Sequence, residues 1–232
     1  MTTVKFGLST TFDCGYLPDQ KEQLLVYIDE QPLTPIIYSA LQNQGFRRSE
    51  DHVYKPHCSN CNACQSIRLP VYTFNLKNSQ KRILKKADKF KVNLANKVSE
   101  QYYPLFEKYI NTKHVDGVMY PANETQLESF TKCEWMDKVY IELYDNELLI
   151  AVAICDVTPD SLSAVYTFYD PEYLKYSLGT LMILQQINIT KQLDKNWLYL
   201  GYYIKECEKM NYKTRFTPYQ IRTQDGWFEF IE

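Results

Sequence analysis

The sequence predicts a mixed α/β fold of the α+β type, and two features of its 232 residues support this prediction. The C-terminal part shows antiparallel strand patterns followed by a strand, a helix and another strand, an order that produces a sheet with a crossover helix. The N-terminal part has scattered apolar residues, several prolines and a group of cysteines. We expect a cysteine-bearing module over residues 1–75, a basic connecting helix over 76–98 and an α/β domain over 99–232.

The N-terminal module is expected to be compact and irregular, because its apolar residues keep no helical or strand period for long. The exception is residues 35–45, where Ile37 and Leu41 belong to an apolar set at helical spacing. Gly45 follows this set at the position where a glycine commonly ends a helix. A short helix is therefore predicted there.

Residues 78–94 are predicted to form one helix, with Ser79 as its N-cap and an apolar stripe that includes Ile83 and Phe90. The opposite face carries five basic side chains: Lys81, Arg82, Lys85, Lys86 and Lys89. Such a face is either a solvated helix surface or a contact for nucleic-acid phosphates. The local excess of positive charge favours phosphate contact.

The C-terminal region carries the clearest periodic patterns. It predicts a helix over 100–114, a hairpin of strands over 139–144 and 148–157, a strand over 162–169, a helix over 178–193 capped by Ser177, and a strand over 197–202. This order resembles the acyltransferase fold shared by the N-acetyltransferases. In that fold the acyl donor lies where the third strand ends and the helix begins.

Composition excludes several classes of protein. The chain has 26 basic and 28 acidic residues and a formal net charge of −2, so any contact with nucleic acid must come from a local patch. It contains no glycine-rich phosphate loop, which argues against a dinucleotide-binding or P-loop enzyme. No signal-peptide pattern and no membrane-spanning apolar run is found, and we expect a soluble, cytoplasmic protein without a membrane partner.

Three cysteines lie within seven residues, at positions 58, 61 and 64. Gaps of two residues let neighbouring thiolates converge on one ion, as they do in zinc knuckles and iron–sulfur sites. Cys58, Cys61 and Cys64, with Cys14 as a distant fourth thiol, are therefore candidate ligands of zinc or an iron–sulfur cluster. A redox switch and buried free thiols remain open alternatives.

Several short motifs appear in order along most of the chain. They are CGYL at 14–17, GFRR at 45–48, YKPHCSNCNACQSIRLPV at 54–71, SQKR at 79–82, YTFYDP at 166–171, SLGT at 177–180 and LYLGY at 198–202. Together they resemble the aminoacyl-tRNA–protein transferases, specifically the bacterial aspartate/glutamate leucyltransferases related to eukaryotic arginyltransferases. The resemblance extends from about residue 8 to residue 218.

This resemblance implies transfer of leucine from leucyl-tRNA to the α-amino group of proteins that begin with Asp or Glu. The product would carry a destabilising N-terminus of the N-end rule (N-degron) route, and a downstream proteolytic adaptor would be a further partner. No cofactor is required for the chemistry. The arginyl branch has a second cysteine where this chain has Leu17, so its cluster ligand set does not carry over whole.

The implied reaction assigns roles to candidate residues. Tyr166, Tyr169 and Asp170 lie at the end of the third strand, where the acyltransferase fold reacts, although core packing would equally explain the two rings. The cations that could pair with the acceptor's acidic side chain are Arg47, Arg48, Lys55, Arg68, Lys213 and Arg215. The basic face of residues 78–94, together with Ser177 and Gly179 at the start of the following helix, is the candidate tRNA site.

Three other functions are weighed against this one. An N-acetyltransferase is disfavoured because the segment 177–180 offers a single glycine where a pyrophosphate-binding turn needs several. A non-catalytic, metal-stabilised RNA-binding protein would explain the cysteines and the basic helix. Arginyl transfer to the same acceptors is the third, since the residues alone do not name the donor amino acid.

Overall fold

The computed structural model describes residues 4–231, within which the chain forms fourteen strands and six α-helices. The N-terminal elements are β1 (Phe6–Leu8), β2 (Phe12–Asp13), β3 (Lys21–Glu22), β4 (Leu24–Tyr27), α1 (Pro35–Asn43), β5 (Arg47–Ser49), β6 (His52–Pro56) and β7 (Gln65–Pro70). Four of these strands build a small sheet in the order β1-β4-β6-β5, and β2 pairs with β3. The predicted irregular module is therefore largely a sheet of short strands.

The rest of the chain contributes most of a large sheet. Its elements are α2 (Asn78–Lys86), β8 (Lys91–Ala95), α3 (Tyr102–Lys113), α4 (Glu124–Thr131), β9 (Lys138–Asp145), β10 (Leu148–Val157), β11 (Ser161–Tyr169), α5 (Leu178–Gln192), β12 (Trp197–Tyr203), α6 (Glu208–Asn211), β13 (Tyr219–Arg222) and β14 (Trp227–Phe230). The eight strands lie in the order β14-β13-β7-β12-β11-β10-β9-β8. The mixed α/β class and the predicted strand-helix-strand unit are confirmed.

The central strand β10 shows why the sheet is buried on both faces. Alternate side chains of a strand point to opposite faces. Ala151 and Ala153 pack in the core that contains α5, whereas Val152 and Ile154 pack in the core that contains α3. A strand covered on both sides is apolar throughout, which explains the continuous apolar run of β10.

The small sheet is joined to the large one by a buried ion pair and by the chain itself. Arg48 of β5 donates from Nε and Nη2 to the two carboxylate oxygens of Asp156 on β10, at 2.8 and 2.7 Å. Strand β7 lies inside the large sheet, between β13 and β12. The division of the chain at residues 75 and 98 stays a prediction.

The helix predicted over residues 78–94 is wrong in its second half. It ends at Lys86, and residues 91–95 form β8, which pairs antiparallel with β9 at the edge of the large sheet. Leu94 fits both the predicted helical stripe and a strand alternation with Val92, and pairing with β9 decides between them. The N-cap is Lys77 rather than Ser79, because the Gln80 side chain accepts from the Lys77 backbone N–H.

The other predicted helices need smaller corrections. Helix α1 forms as predicted, and Thr34 caps it by accepting from the backbone N–H of Ile37. Ser177 occupies the N-cap position of α5, but its backbone is left-handed, with φ of 53°, and its side chain makes no capping bond. Helix α4 was not predicted from the sequence.

Candidate active site

Two parallel strands part at the centre of the large sheet, and Arg47 occupies the opening. β11 and β12 pair only from Ser161 to Ser163. Just beyond this stretch, Arg47 Nη2 donates to the Ala164 carbonyl of β11 at 2.7 Å. A cation from the small sheet is thus held between the diverging strands.

Gly201 of β12 is what lets Arg47 come so close. Its φ is +88°, a left-handed conformation that favours glycine, and a Cβ at this position would lie 2.7 Å from Arg47 Nη1. The strand register shifts between Tyr199 and Gly201, which places the irregularity of β12 at the same point. The glycine in the LYLGY motif therefore has a local structural reason.

Lys213 is a second basic side chain that contacts β12. It lies in the turn Tyr212–Arg215, is 6% exposed, and its Nζ donates to the Tyr202 carbonyl of β12. Burial, together with the nearby charge of Arg47, lowers the pKa of Lys213 to about 7. Within residues 4–231, neither Arg47 nor Lys213 forms an ion pair with a carboxylate.

A cluster of tyrosines lies at the end of β11 and beside Lys213. The ring centroids of Tyr109 and Tyr169 are 4.8 Å apart, and a Cβ at Gly179 would touch the Tyr169 ring at 3.5 Å. Burial, together with Tyr169, raises the pKa of Tyr212, and burial also raises the pKa of Tyr169. These hydroxyls stay protonated at neutral pH and can donate hydrogen bonds to a developing oxyanion.

Tyr166 and Asp170 are held by other side chains. Tyr166 stacks on Phe130 with ring centroids 4.2 Å apart, and burial raises its pKa. Asp170 is 6% exposed, accepts from Lys108 Nζ at 2.9 Å and from the backbone N–H of Glu172 at 2.9 Å. Both Asp170 oxygens therefore have a donor, and the carboxylate holds the end of β11 against α3; its catalytic role stays a prediction.

The other predicted acceptor-binding cations lie elsewhere. Arg48 is fully engaged with Asp156, and the guanidinium of Arg68 is sandwiched between the rings of Trp197 and Trp227, 3.7 and 4.0 Å from their centroids. Arg215 is exposed and Lys55 lies over the Phe46 ring, at the wall of a different cavity. Of the six cations, the structure brings together only Arg47 and Lys213.

The four candidate metal ligands line one cavity of about 620 Å³. Cys14, Cys58, Cys61 and Cys64 share its wall with Tyr202, whose hydroxyl donates to the Gly45 carbonyl at 3.0 Å. Burial, together with the neighbouring thiols, Cys14 foremost, raises the pKa of Cys64 to about 12. The three-cysteine spacing thus correctly indicated thiols that lie close together.

These thiols have the right chemistry for zinc or an iron–sulfur cluster but not the geometry. Among residues 4–231, no three His, Cys, Asp or Glu side chains converge as metal ligands. Cysteine binds either metal as the thiolate.

The predicted tRNA-binding residues form an exposed basic surface that continues beyond α2. Lys81, Arg82, Lys85, Lys86 and Lys89 are all exposed. Lys86 donates to the Lys175 carbonyl at 2.6 Å, and the ammonium groups of Lys86, Lys89 and Lys175 lie 5.3–5.6 Å from the centroid of the Tyr176 ring. Ser177 is exposed and follows Tyr176 directly, so this surface ends at the start of α5.

Sequence reasoning missed several residues of these sites. Tyr109 is one of several apolar and aromatic residues in the amphipathic pattern of α3, which does not single it out. Lys175 extends the basic surface of α2 but lies far from that helix in sequence. The pairing of Asp170 with Lys108 could not be read from residues 62 positions apart. The isolated glycine in LYLGY was a usable signal, because a glycine within a strand indicates a bulge or a close approach.

Comparison with known proteins gives the family. Residues 12–82 match the profile described as arginine-tRNA-protein transferase, N terminus, and residues 101–223 match the corresponding C-terminus profile. The chain belongs to the arginine-tRNA-protein transferase family. The resemblance read from the ordered motifs is confirmed.

Relatives of this chain carry one name. An aspartate/glutamate leucyltransferase of Pseudoalteromonas atlantica is 48% identical over 97% of this chain and 96% of its own. Those of Shewanella amazonensis and Vibrio cholerae are 46% and 44% identical, over 97% of this chain and 95% and 96% of theirs. Both share nearly the whole length with this chain.

Comparison with solved structures gives a weak likeness in fold. The C-terminal domain of a putative lysylphosphatidylglycerol synthetase from Agrobacterium fabrum superposes with a TM-score of 0.47 and 10% identity, covering 74% of this chain and 52% of that one. This likeness is too weak to carry an argument. Within the described residues, no helix is both long and apolar enough to cross a bilayer.

Proposed function

We propose that this chain transfers leucine from leucyl-tRNA to the α-amino group of proteins that begin with Asp or Glu. The names of its relatives support the donor and the acceptors, since relatives 44–48% identical over nearly the full length are called aspartate/glutamate leucyltransferases. The observation that carries the proposal is the pair of basic side chains, Arg47 and Lys213, which lie beside the parting strands and have no carboxylate partner within residues 4–231.

Arg47 and Lys213 would bind the acidic side chain of the acceptor. Arg47 uses one N–H group on the Ala164 carbonyl and keeps the rest of its planar fork for a carboxylate. A cation buried without a counter-ion is costly, and an incoming carboxylate removes that cost. An uncharged Asn or Gln would not, so the pair favours Asp and Glu.

The chemical step needs placement more than strong base catalysis. The ester of leucyl-tRNA is already activated, and an α-amino group with a pKa of about 7.7 to 8.0 is partly neutral at pH 7. The hydroxyls of Tyr169 and Tyr212, kept protonated by burial, are candidate donors to the carbonyl oxygen as it becomes an oxyanion. Tyr166 would support this cluster through its stack on Phe130.

The basic surface would hold the tRNA. It comprises the exposed cations of α2 and its following turn, extended by Lys175 to the start of α5 with Ser177 and Gly179. Contacts of this kind supply much of the affinity for nucleic acid without reading sequence. Their continuity with α5 would lead the aminoacyl end toward the tyrosine cluster.

We also propose that the four cysteines bind zinc or an iron–sulfur cluster after local rearrangement of their cavity. The support is the shared wall of Cys14, Cys58, Cys61 and Cys64 and the affinity of thiolates for both metals. Elemental analysis of protein purified without oxygen should find zinc or iron. Less than about a tenth of an equivalent of both would return these residues to a redox or packing role.

Two further partners complete the proposal. A product bearing N-terminal leucine would be handed to a proteolytic adaptor of the N-end rule route. Because aminoacyl-tRNA is made and used in the cytoplasm, we place the reaction there.

A crossed transfer assay tests the function. Leucyl-, arginyl- and phenylalanyl-tRNA are each offered with peptides that begin with Asp, Glu, Arg or Ala. We expect label from leucyl-tRNA to enter the Asp and Glu peptides alone. Label from arginyl-tRNA would assign arginyl transfer to the same acceptors, and tRNA binding without any transfer would indicate a non-catalytic RNA-binding protein.

A further inference from the structure

The surroundings of Lys213 disfavour its positively charged form. Arg47 of β5 faces it with a like charge, and its Nζ donates to the Tyr202 carbonyl of β12 and lies 3.7 Å from Met210 Sδ of α6. Cys207, just before α6, and the Tyr212 ring, 5.9 Å from Nζ, are the other titratable neighbours. No carboxylate pairs with it in the described part of the chain.

These contacts satisfy a neutral amine better than an ammonium. An ammonium has three N–H donors, and among residues 4–231 only the Tyr202 carbonyl offers it an oxygen acceptor. Burial and the neighbouring guanidinium both disfavour the charged form, and the pKa of Lys213 falls to about 7. At slightly alkaline pH the free enzyme therefore holds one fixed cation, Arg47, next to one neutral amine.

We propose that Lys213 accepts the proton of the acceptor's α-ammonium group, and that the acceptor's own acidic side chain makes this transfer favourable. The inference rests on the proposed function, because it requires the Asp or Glu side chain to bind beside Arg47 and Lys213. It makes acceptor selection and amine activation two effects of one residue.

The step balances in protons and electrons. One proton leaves the α-ammonium nitrogen and joins the lone pair of Lys213 Nζ, while the acceptor's carboxylate pairs with the ammonium so formed. The freed lone pair of the α-amine attacks the carbonyl carbon of the leucyl ester, and the bond to the ribose oxygen breaks. That oxygen leaves with a second proton from the attacking nitrogen, and the amide remains.

The arrangement also accounts for discrimination against isosteric amides. An Asn side chain has the shape of Asp but no charge, so it leaves Lys213 beside Arg47 without a counter-ion. Lys213 then stays neutral and the α-amine keeps its proton. The acceptor's acidic group would thus act on the rate of transfer as well as on binding.

Nuclear magnetic resonance of the full chain with ¹³Cε-labelled lysine tests this directly. The Lys213 signal is assigned by its loss in Lys213→Met, and its titration is followed without leucyl-tRNA so that no turnover occurs. We expect a midpoint near pH 7 in the free enzyme and a rise of about one to three pH units with a saturating Asp-peptide. A matched Asn-peptide should leave the midpoint in place.

Kinetics of Lys213→Arg separates binding from proton transfer. Arginine keeps a positive charge for the carboxylate but cannot accept a proton. We expect KM for the Asp-peptide to stay close to wild type and kcat at pH 7 to fall about tenfold, because about a tenth of an α-amine with a pKa of about 8 is already neutral there. Exposed Lys209, on α6, provides the matched control Lys209→Arg, which should change neither constant.

The outcomes separate this inference from the function on which it rests. The inference is overturned if Lys213 is still charged at pH 9 in the free enzyme. It is also overturned if the Asp-peptide does not move the titration midpoint of Lys213. If Lys213→Arg does not fold, the wild-type titration decides alone. If the protein binds Asp-peptides through Arg47 but the titration midpoint of Lys213 stays fixed, only the inference is contradicted. If Asp-peptides do not accept leucine at all, the proposed function is contradicted.

Discussion

At the scale of single residues, Lys213 shows how burial sets the chemistry available to a side chain. Its pKa falls from 10.5 to about 7 because the charged form is desolvated. The unfolded chain therefore binds more protons than the native one between about pH 7 and pH 10.5. The free energy of unfolding should rise with pH across that window and be insensitive to this group below it.

This pH dependence is measurable against a variant. Lys213→Met removes the titrating group, so the wild type should gain stability relative to the variant as pH rises from 7 to 10. Urea unfolding at each pH gives both free energies. A difference between the two proteins that stays constant over this range would show that Lys213 is charged in the native state.

At the scale of secondary-structure elements, the opening between β11 and β12 depends on the backbone conformation of β12 at Gly201. In Gly201→Ala, the new Cβ would meet Arg47 Nη1 at 2.7 Å and force a left-handed alanine. We expect a loss of about 1–3 kcal/mol in the free energy of unfolding and a larger proportional loss of transfer to Asp-peptides.

Gly15→Ala is the control for this substitution, since no atom lies within 4 Å of a Cβ built there. It should unfold like the wild type. Full activity in Gly201→Ala would mean that the position of Arg47 between the strands is not needed.

The basic surface supports a second prediction at this scale. Arg82 and Lys85 are exposed, whereas Lys86 is bonded to the Lys175 carbonyl and Lys89 to Asp145. Replacing Arg82 and Lys85 by Gln should weaken tRNA binding and reduce the slope of log affinity against log salt by about 0.7 to 0.9 for each lost phosphate contact. Exposed Lys97→Gln is the control, and an unchanged slope in the double variant would place the tRNA elsewhere.

Local sequence patterns predicted an element well where the apolar residues fit only one periodicity, either that of a helix or that of a strand. The hairpin β9–β10, strand β11, helix α5 and strand β12 follow from strict periodicity and turn residues. Residues 91–95 did not, since Leu94 fits both the helical stripe and a strand alternation with Val92, and only pairing with β9 decides between them. The short strands of the small sheet are too brief for any period to show.

The same limit applies to the site. Spacing alone indicated that Cys58, Cys61 and Cys64 lie together, because they are close in sequence. Choosing Arg47 over Arg48 required the fold, since adjacent residues of β5 point to opposite faces and only Arg48 meets Asp156. Long-range pairing of this kind leaves no mark in a single sequence.

On the scale of the whole molecule, the small sheet provides Arg47 to the candidate active site, which lies in the large sheet. Arg47 crosses from β5 to the carbonyl of Ala164, and its neighbour Arg48 anchors β5 through the buried pair with Asp156. Breaking such a pair by removing one partner costs about 3–5 kcal/mol. The two sheets are therefore expected to act as one unit in placing the cation that reads the acceptor.

The charge of the acceptor's first side chain tests this arrangement most directly. The measurement is kcat/KM for leucine transfer to two peptides that differ only in Asp or Asn at the first position, for the wild type and for Arg47→Gln. We expect the wild type to prefer Asp by about 100-fold or more, the size of leaving a buried cation unpaired, and the variant to lose most of that preference. Equal rates on both peptides in the wild type, or an unchanged preference in Arg47→Gln, would contradict recognition by this pair of cations.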